Sequence, residues 1–144
     1  MASVTVGAFL NELVSLTLIA SVVDHLARPM TSARPRSKPA ARATAQSDTD
    51  ANISYYGVGL DNLLGDLAKV TKPLIVHIAD KDEFFPPEGR AKVVESVKGH
   101  KQIAACVYPD ADHAFARVGG VHWDGRAAAI ANGRSVEALV AALS

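Results

Sequence analysis

The chain has 144 residues, of which 49% are hydrophobic and 21% are charged, and its 15 basic residues balance its 15 acidic ones. This length suits one modest domain, and the composition excludes a wholly disordered chain. A net charge of zero gives no support for nucleic-acid binding or for attraction to an anionic membrane surface. Because the single cysteine, Cys106, excludes an internal disulfide, we expect a cytoplasmic protein of a reducing compartment.

The first long apolar stretch runs from Val4 to Val23. Asn11 and Glu12 lie in its middle, where an acidic side chain would be costly in hydrocarbon, and no basic segment precedes it. The stretch therefore indicates neither a membrane span nor a secretory signal. We expect a helix there, either buried or in contact with a partner.

A basic segment follows, RPMTSARPRSKPAARATAQS, which begins at Arg28 and has three prolines and no acidic residue. With little apolar surface to bury, it is typical of a flexible linker or tail. Its cations could contact phosphate, but no aromatic residues stand between them to stack on bases. We expect a solvated linker and no nucleic-acid partner.

Three short apolar runs from about Ala51 onward predict β-strands: NISYYG, KPLIVHIAD and QIAACVYP. Amphipathic segments alternate with these runs and predict helices. DNLLGDLAKV has Asp61 as a cap, and PPEGRAKVVESVKG places Ala91, Val94 and Val97 on one face. WDGRAAAIANGRSVEALVAAL predicts a closing helix that is interrupted at Gly133. The alternation predicts an α/β fold with three parallel strands.

Ionisable residues follow the second and third predicted strands. In a parallel sheet such loops lie at the carboxyl ends of the strands, where functional groups collect. If the two strands are neighbours, an acid of the first loop reaches the histidine of the second and orients its imidazole. The loops hold Asp80, Asp82 and Glu83 after the second strand, and Asp110, Asp112 and His113 after the third.

The motifs YYGVGLDNLLG, KPLIVHIADKDEFFPPE and VYPDADHAFARVGG resemble the C-terminal half of the dienelactone hydrolase family, a branch of the α/β-hydrolases. The resemblance covers about residues 46–144. It implies a partial α/β-hydrolase fold and a cofactor-free hydrolase of lactone or ester bonds, of the carboxymethylenebutenolidase class, acting on a small molecule. It further implies that Asp82 and His113 are the acid and histidine of a catalytic triad, and that Arg117 holds a substrate carboxylate.

The nucleophile of that family is a cysteine in a Gly-x-Cys-x-Gly elbow upstream of the acid, and this element is missing. No Gly-x-Ser-x-Gly or Gly-x-Cys-x-Gly occurs within residues 1–81. Cys106 lies inside the third predicted strand, which is typical of a small buried hydrophobic residue. We therefore assign no nucleophile, and we expect only a remnant of the triad.

Residues 1–45 do not resemble the family, and their bias toward Arg, Ala, Pro, Ser and Thr is typical of a GC-rich gene read in another frame. We hypothesise a boundary near Gln46, with a truncated family domain over 46–144 and an out-of-frame segment before it. The alternative is a non-catalytic protein that acts only through association, with a partner or with itself, at an exposed half-sheet.

Two other interpretations use neighbouring residues. Asp110, Asp112, His113, His122 and Asp124 could form a metal cluster, but their spacing matches no closed site and Asp124 suits a helix cap, so we expect no metal.

His77, inside the second predicted strand, is expected to be a hydrogen-bonded core residue rather than a ligand. Arg117 has the alternative of being an ordinary surface cation.

Overall fold

The computed structural model describes residues 5–11, 15–21 and 50–144. Within these ranges the strands form one sheet, whose order across the sheet is the same as their order along the chain. The strands are β1 (Thr5–Asn11), β2 (Ser15–Ser21), β3 (Asn52–Tyr55), β4 (Leu74–Ala79) and β5 (Ile103–Tyr108).

The predicted parallel sheet is confirmed. β3 pairs in parallel with β4, and β4 pairs in parallel with β5. A 3₁₀ turn (Leu60–Leu63) and a short helix α1 (Leu64–Leu67) follow β3, helix α2 (Pro87–Val97) follows β4, and helix α3 (Gly125–Leu143) follows β5. This is the α/β arrangement that the alternation of apolar runs and amphipathic segments predicted.

The helix predicted between Val4 and Val23 is wrong, because the described part of that stretch forms β1 and β2. β2 pairs antiparallel with β3, and β1 pairs antiparallel with β2. The sequence from Ser15 to Leu18 alternates polar and apolar residues, which suits a strand, and the outer edge of β3 offers backbone groups that need partners. The linker predicted from Arg28 onward lies outside the described residues.

The helices differ from their predicted forms in detail. α3 continues through Gly133 without a break, and Asp61 lies inside the 3₁₀ turn instead of capping a helix. In α2 the buried positions are Gly89, Val93 and Val97, and Ala91 is exposed. These shifts rotate the apolar face of α2 by a fraction of a turn and leave the order of the elements unchanged.

The parallel strands β3 to β5 have a core on each face, which is why β4 is apolar at every position except His77. No helix within the described ranges is long and apolar enough to span a membrane. The face toward α2 has a core of Leu60, Leu67, Val70, Leu74, Val76, Ile78, Phe85, Val93, Val97 and Ile103. The face toward α3 has a core of Ile53, Tyr55, Tyr56, Ala79, Tyr108, Ala111, Phe115, Ala127 and Ala131.

Candidate functional site

The carboxyl ends of β3, β4 and β5 lie side by side, because Tyr55 pairs with His77 and Ala79 pairs with Tyr108. Each strand is followed within a few residues by a side chain of the candidate site. Tyr56 comes directly after β3, Asp82 three residues after β4, and His113 five residues after β5. A parallel sheet therefore delivers all three to one edge.

Main-chain hydrogen bonds join the loop after β4 to the loop after β5. The amide of Asp80 donates to the carbonyl of Tyr108 at 3.1 Å, and the amide of Lys81 donates to the carbonyl of Ala111 at 2.9 Å. The pairing of the strands thus continues into the loops, and it fixes the spacing between the backbone before Asp82 and the backbone before His113.

Asp82 and His113 form a direct side-chain pair. His113 Nδ1 lies 2.8 Å from Asp82 Oδ2, and the side chain of Asp82 is fully buried while that of His113 is 14% exposed. The other carboxylate oxygen, Asp82 Oδ1, accepts from the amide of Phe84 at 2.9 Å. Because a carboxylate only accepts, Nδ1 is the donor of this bond, and in the neutral tautomer that donates from Nδ1 the lone pair lies on Nε2.

The competing acids of the same loops have other positions. Asp80 and Glu83 are exposed, whereas Asp82 is buried against His113. The contact predicted between Asp82 and His113 is therefore present. Asp110 instead forms an exposed ion pair with Lys81 at 2.8 Å, which lowers the pKa of its carboxyl and raises the pKa of Lys81.

Two aromatic rings that no sequence motif singles out flank the imidazole. The ring of Tyr56 lies 4.8 Å from that of His113, and the ring of Phe84 lies 4.9 Å away in an edge-on arrangement. Tyr56 is buried and Phe84 is half-exposed. The available signal for Tyr56 was its position at the end of a predicted strand, at the same edge as the two loops.

Tyr56 has an unusual backbone conformation and a hydroxyl that stays neutral. Its φ is +74°, in the left-handed region that only a few per cent of residues other than glycine adopt. Burial raises the pKa of Tyr56 to about 12, against smaller opposite effects of a hydrogen bond with the backbone of Ala116 and of the Arg117 charge. The phenol is therefore protonated at neutral pH and can donate a hydrogen bond at the site.

The loop that carries His113 is anchored by Phe115. This ring is fully buried and packs against Tyr55, Tyr56 and Tyr108, with ring centres 6.5, 5.5 and 4.9 Å away. Arg117 follows two residues later and is exposed, so it can meet a solute, and its charge acts on the hydroxyl of Tyr56. Arg117 thus belongs to the same edge as the Asp82–His113 pair.

The residues of the metal interpretation are dispersed. His122 Nδ1 lies 3.5 Å from Asp112 Oδ2 at the surface, while His113 faces Asp82. Asp124 caps α3 by accepting from the amides of Arg126 and Ala127, as predicted. Among the described residues, no group of three or more His, Cys, Asp or Glu side chains is placed to hold a metal ion.

His77 is the hydrogen-bonded core residue that its strand position predicted. It is fully buried, with Nδ1 2.8 Å from the hydroxyl of Tyr108 and Nε2 2.9 Å from Ser135 Oγ. Since Ser135 donates its own proton to the carbonyl of Ala131, it accepts from Nε2–H of His77. Burial lowers the pKa of His77 to about 4, with a smaller contribution from the charge of Arg134.

Cys106 lies within β5, in register with His77 on β4, and is partly buried against the core under α3. It therefore belongs to the body of the sheet, whereas the Asp82–His113 pair lies in the loops beyond the strand ends.

Comparison with known proteins agrees with this architecture. The model of the Dienelactone hydrolase family matches residues 40–143. A protein of Azospirillum brasilense named "Putative carboxymethylenebutenolidase" is 59% identical over 91 residues, and Carboxymethylenebutenolidase 1 of Cupriavidus pinatubonensis is 34% identical over 95 residues. These alignments cover 63% and 66% of this chain, and only 39% and 40% of the relatives.

A solved structure shares the fold. The crystal structure of a "Putative Dienelactone Hydrolase" from Klebsiella pneumoniae superposes with a TM-score of 0.58 at 19% identity, covering 68% of this chain and 45% of that one. The family match extends over more than half of the 144 residues, so it includes every element from β3 to α3. The chain belongs to the dienelactone hydrolase family.

Proposed function

We propose that this chain supplies the acid–base half of a site that hydrolyses lactones or esters, with His113 as the proton-transfer residue and Asp82 as its orienting acid. The observation that carries the proposal is the 2.8 Å contact between His113 Nδ1 and the buried carboxylate of Asp82. A histidine held in this way presents Nε2 to the reaction and stabilises the imidazolium that forms there.

The proposed reaction needs a nucleophile that the 144 residues do not contain in the family's elbow motif. A cysteine thiol placed beside Nε2 of His113 would lose its proton to the imidazole as sulfur attacks the carbonyl carbon. Cleavage of the lactone C–O bond would then return that proton to the leaving oxygen. Water, deprotonated by the same Nε2, would release the acid product and restore the thiol.

Arg117 and the two aromatic rings support a carboxylate-bearing, unsaturated substrate. Arg117 is exposed at the edge of the site, and a guanidinium binds a carboxylate through paired hydrogen bonds. Tyr56 and Phe84 offer apolar surface beside His113. The proposed chemistry uses only side chains and water, so it calls for neither a cofactor nor a metal.

The decisive experiment joins residues 46–144 to the part of the Azospirillum brasilense relative that precedes its matched segment. The chimera should hydrolyse a lactone bearing a carboxylate, and His113→Ala or Asp82→Asn should lower its kcat by about 10²–10⁴-fold. Asp80→Asn is the matched control, since Asp80 is an exposed acid of the same loop. A folded chimera in which Asp82→Asn and Asp80→Asn behave alike would refute the proposal.

A second candidate is a non-catalytic protein that acts by association. It is favoured by the missing elbow motif and by exposed apolar side chains along α3, namely Ile130, Val136 and Val140. Light scattering of the purified chain tests it, since a stable oligomer without hydrolytic activity supports this candidate. Either function is proposed for the cytoplasm, where the lone thiol of Cys106 stays reduced.

A further inference from the structure

The loop between β4 and α2 carries Asp82 and Phe84, both of which contact His113, and it is built as a tight turn. The amide of Phe84 donates to Asp82 Oδ1 at 2.9 Å, and the amide of Phe85 donates to the carbonyl of Asp82 at 3.3 Å. These bonds order the turn internally. They do not by themselves fix the turn relative to the rest of the domain.

Arg90, in the first turns of α2, joins this loop to the helix. Its Nη1 donates to the carbonyl of Asp82 at 3.1 Å and also donates to the carbonyl of Phe85. One guanidinium nitrogen therefore contacts the main chain on both sides of Phe84, including that of the acid itself. The side chain of Arg90 is half-buried, so these charge-assisted bonds are only partly open to solvent.

The start of α2, from which Arg90 extends, is itself held in place by packing. Phe85 is fully buried, and Gly89 lies so close to its ring that a Cβ on Gly89 would be 2.9 Å from Phe85 Cε2. α2 packs on the sheet through Val93 and Val97. The guanidinium thus links the Asp82 backbone to a helix that cannot move without disturbing the core.

We propose that Arg90 is a positioning residue for the Asp82–His113 pair. A buried carboxylate orients an imidazole only if its backbone is held within a fraction of an ångström. The amide bonds of Lys81 to Ala111 and of Asp82 to Ala79 hold the start of the turn, and Arg90 adds the hydrogen bonds that join the carbonyls of Asp82 and Phe85 to α2. By hydrogen-bonding to the carbonyls of Asp82 and Phe85, Arg90 fixes the position of the Asp82 carboxylate relative to the imidazole of His113. It also fixes the contact of Phe84 with that ring. A lysine has the charge but not the planar fork, so it replaces the function only in part.

This inference deepens the proposed function and rests on it for its meaning, but its test needs no turnover. The Nδ1–H proton of His113 reports directly on the bond to Asp82 in the full chain labelled with ¹⁵N-histidine. The Nε2–H proton of His77, buried under α3, reports on the integrity of the fold in the same spectrum. A failure of the catalytic proposal would appear in the chimera assay and leave these signals unchanged.

Arg90→Ala should broaden or abolish the Nδ1–H signal of His113, or speed its solvent exchange at least about tenfold, while the His77 signal persists. Arg90→Lys should lie between Arg90→Ala and the unchanged chain. Guanidinium ion at millimolar concentration, far below denaturing levels, should restore part of the signal in Arg90→Ala. Lys92→Ala is the matched control, because Lys92 is an exposed cation of the same helix.

Two results would overturn the inference. One is an unchanged exchange rate for the His113 proton in Arg90→Ala. The other is a joint loss of the His113 and His77 signals in both Arg90→Ala and Arg90→Lys, which would mean that Arg90 only stabilises the fold.

Discussion

The main-chain amide of Lys81 donates to the carbonyl of Ala111 at 2.9 Å, one residue before Asp82 and two before His113. The two loops are therefore joined through their backbones before the side chains meet. This explains why the acid–imidazole pair has hydrogen-bond geometry in a chain that lacks the family's nucleophile motif. The pair depends on the pairing of β4 with β5, and both strands lie inside this chain.

Removal of the Asp82 side chain should destabilise the domain. Asp82→Ala leaves the amide of Phe84 without its acceptor and Nδ1 of His113 without the carboxylate that it contacts. We expect a loss of about 1–3 kcal/mol in the free energy of unfolding by urea, and a smaller loss for Asp82→Asn, which keeps an acceptor for Phe84. Asp80→Ala, an exposed control, should change stability by less than about 0.5 kcal/mol. Equal effects of the two alanine variants would contradict this account.

The parallel half of the fold and the Asp82–His113 contact were both predictable from sequence. Short apolar runs separated by helical segments have few arrangements, and the carboxyl-edge rule places both loops together. The choice of Asp82 over Asp80 and Glu83 needed the family motif. In the structure that choice corresponds to burial of one acid and exposure of the other two.

The rings beside His113 and the N-terminal strands were not predictable in the same way. Tyr56 lies beside His113 with a backbone φ of +74°, a conformation that no periodicity reveals. An apolar run such as Val4 to Val23 is compatible with a helix or with strands, and the outer edge of β3 decides for strands. Such a preference arises from tertiary pairing and not from local sequence.

The buried histidine should make stability depend on pH. The pKa of His77 is about 4 in the folded protein against an ordinary value of 6.5, so the unfolded chain takes up the proton first. The contribution of neutral His77 to the free energy of unfolding is fully present above pH 6.5 and is lost as the pH falls from 6.5 toward 4. At about 1.4 kcal/mol for each tenfold change in affinity, the loss approaches about 3 kcal/mol.

The variant that isolates this effect is His77→Gln, whose amide can still bond Tyr108 and Ser135. Urea unfolding of both proteins at several pH values between 4 and 7.5 gives the free energy of unfolding as a function of pH. The decrease in this free energy from pH 7.5 to pH 4 should be smaller in His77→Gln by roughly that amount. Carboxylates contribute equally to both proteins and cancel in the difference. His122→Gln, at a half-exposed histidine, is the control and should follow the unchanged chain. If the free energy of unfolding falls equally with pH in His77→Gln and in the unchanged chain, His77 is not the source of the pH dependence.

Two glycine-to-alanine substitutions should have opposite effects. At Gly133, inside α3, an added Cβ meets nothing within 4 Å, so alanine should stabilise the helix by about 0.5–1 kcal/mol. At Gly57 φ is +68°, and a Cβ would lie 3.1 Å from both Leu60 Cδ1 and Val76 Cγ1. Alanine there should cost about 1–3 kcal/mol. Thermal unfolding of the two variants decides, and a stabilising Gly57→Ala would be inconsistent with the described turn after β3.

Deletion of residues 1–45 tests both the N-terminal strands and the proposed boundary near Gln46. The amide of Asn52, the first residue of β3, and that of Tyr56, directly after β3, donate to the carbonyls of Pro73 and His77, on the side of β4. Because amides alternate in direction along a strand, those of Ile53 and Tyr55 face β2, in register with Leu18 and Leu16.

The deletion should therefore raise hydrogen exchange at Ile53 and Tyr55 by at least about tenfold, while Tyr56 keeps its protection. That alternating pattern cannot arise from general loosening, which would affect every amide of β3. Unchanged exchange at Ile53 and Tyr55 would mean that β2 does not protect this edge, as expected of an out-of-frame segment never selected for packing. Loss of protection at all β3 amides would instead show that residues 1–45 are required by the domain, and the boundary near Gln46 would have to be abandoned.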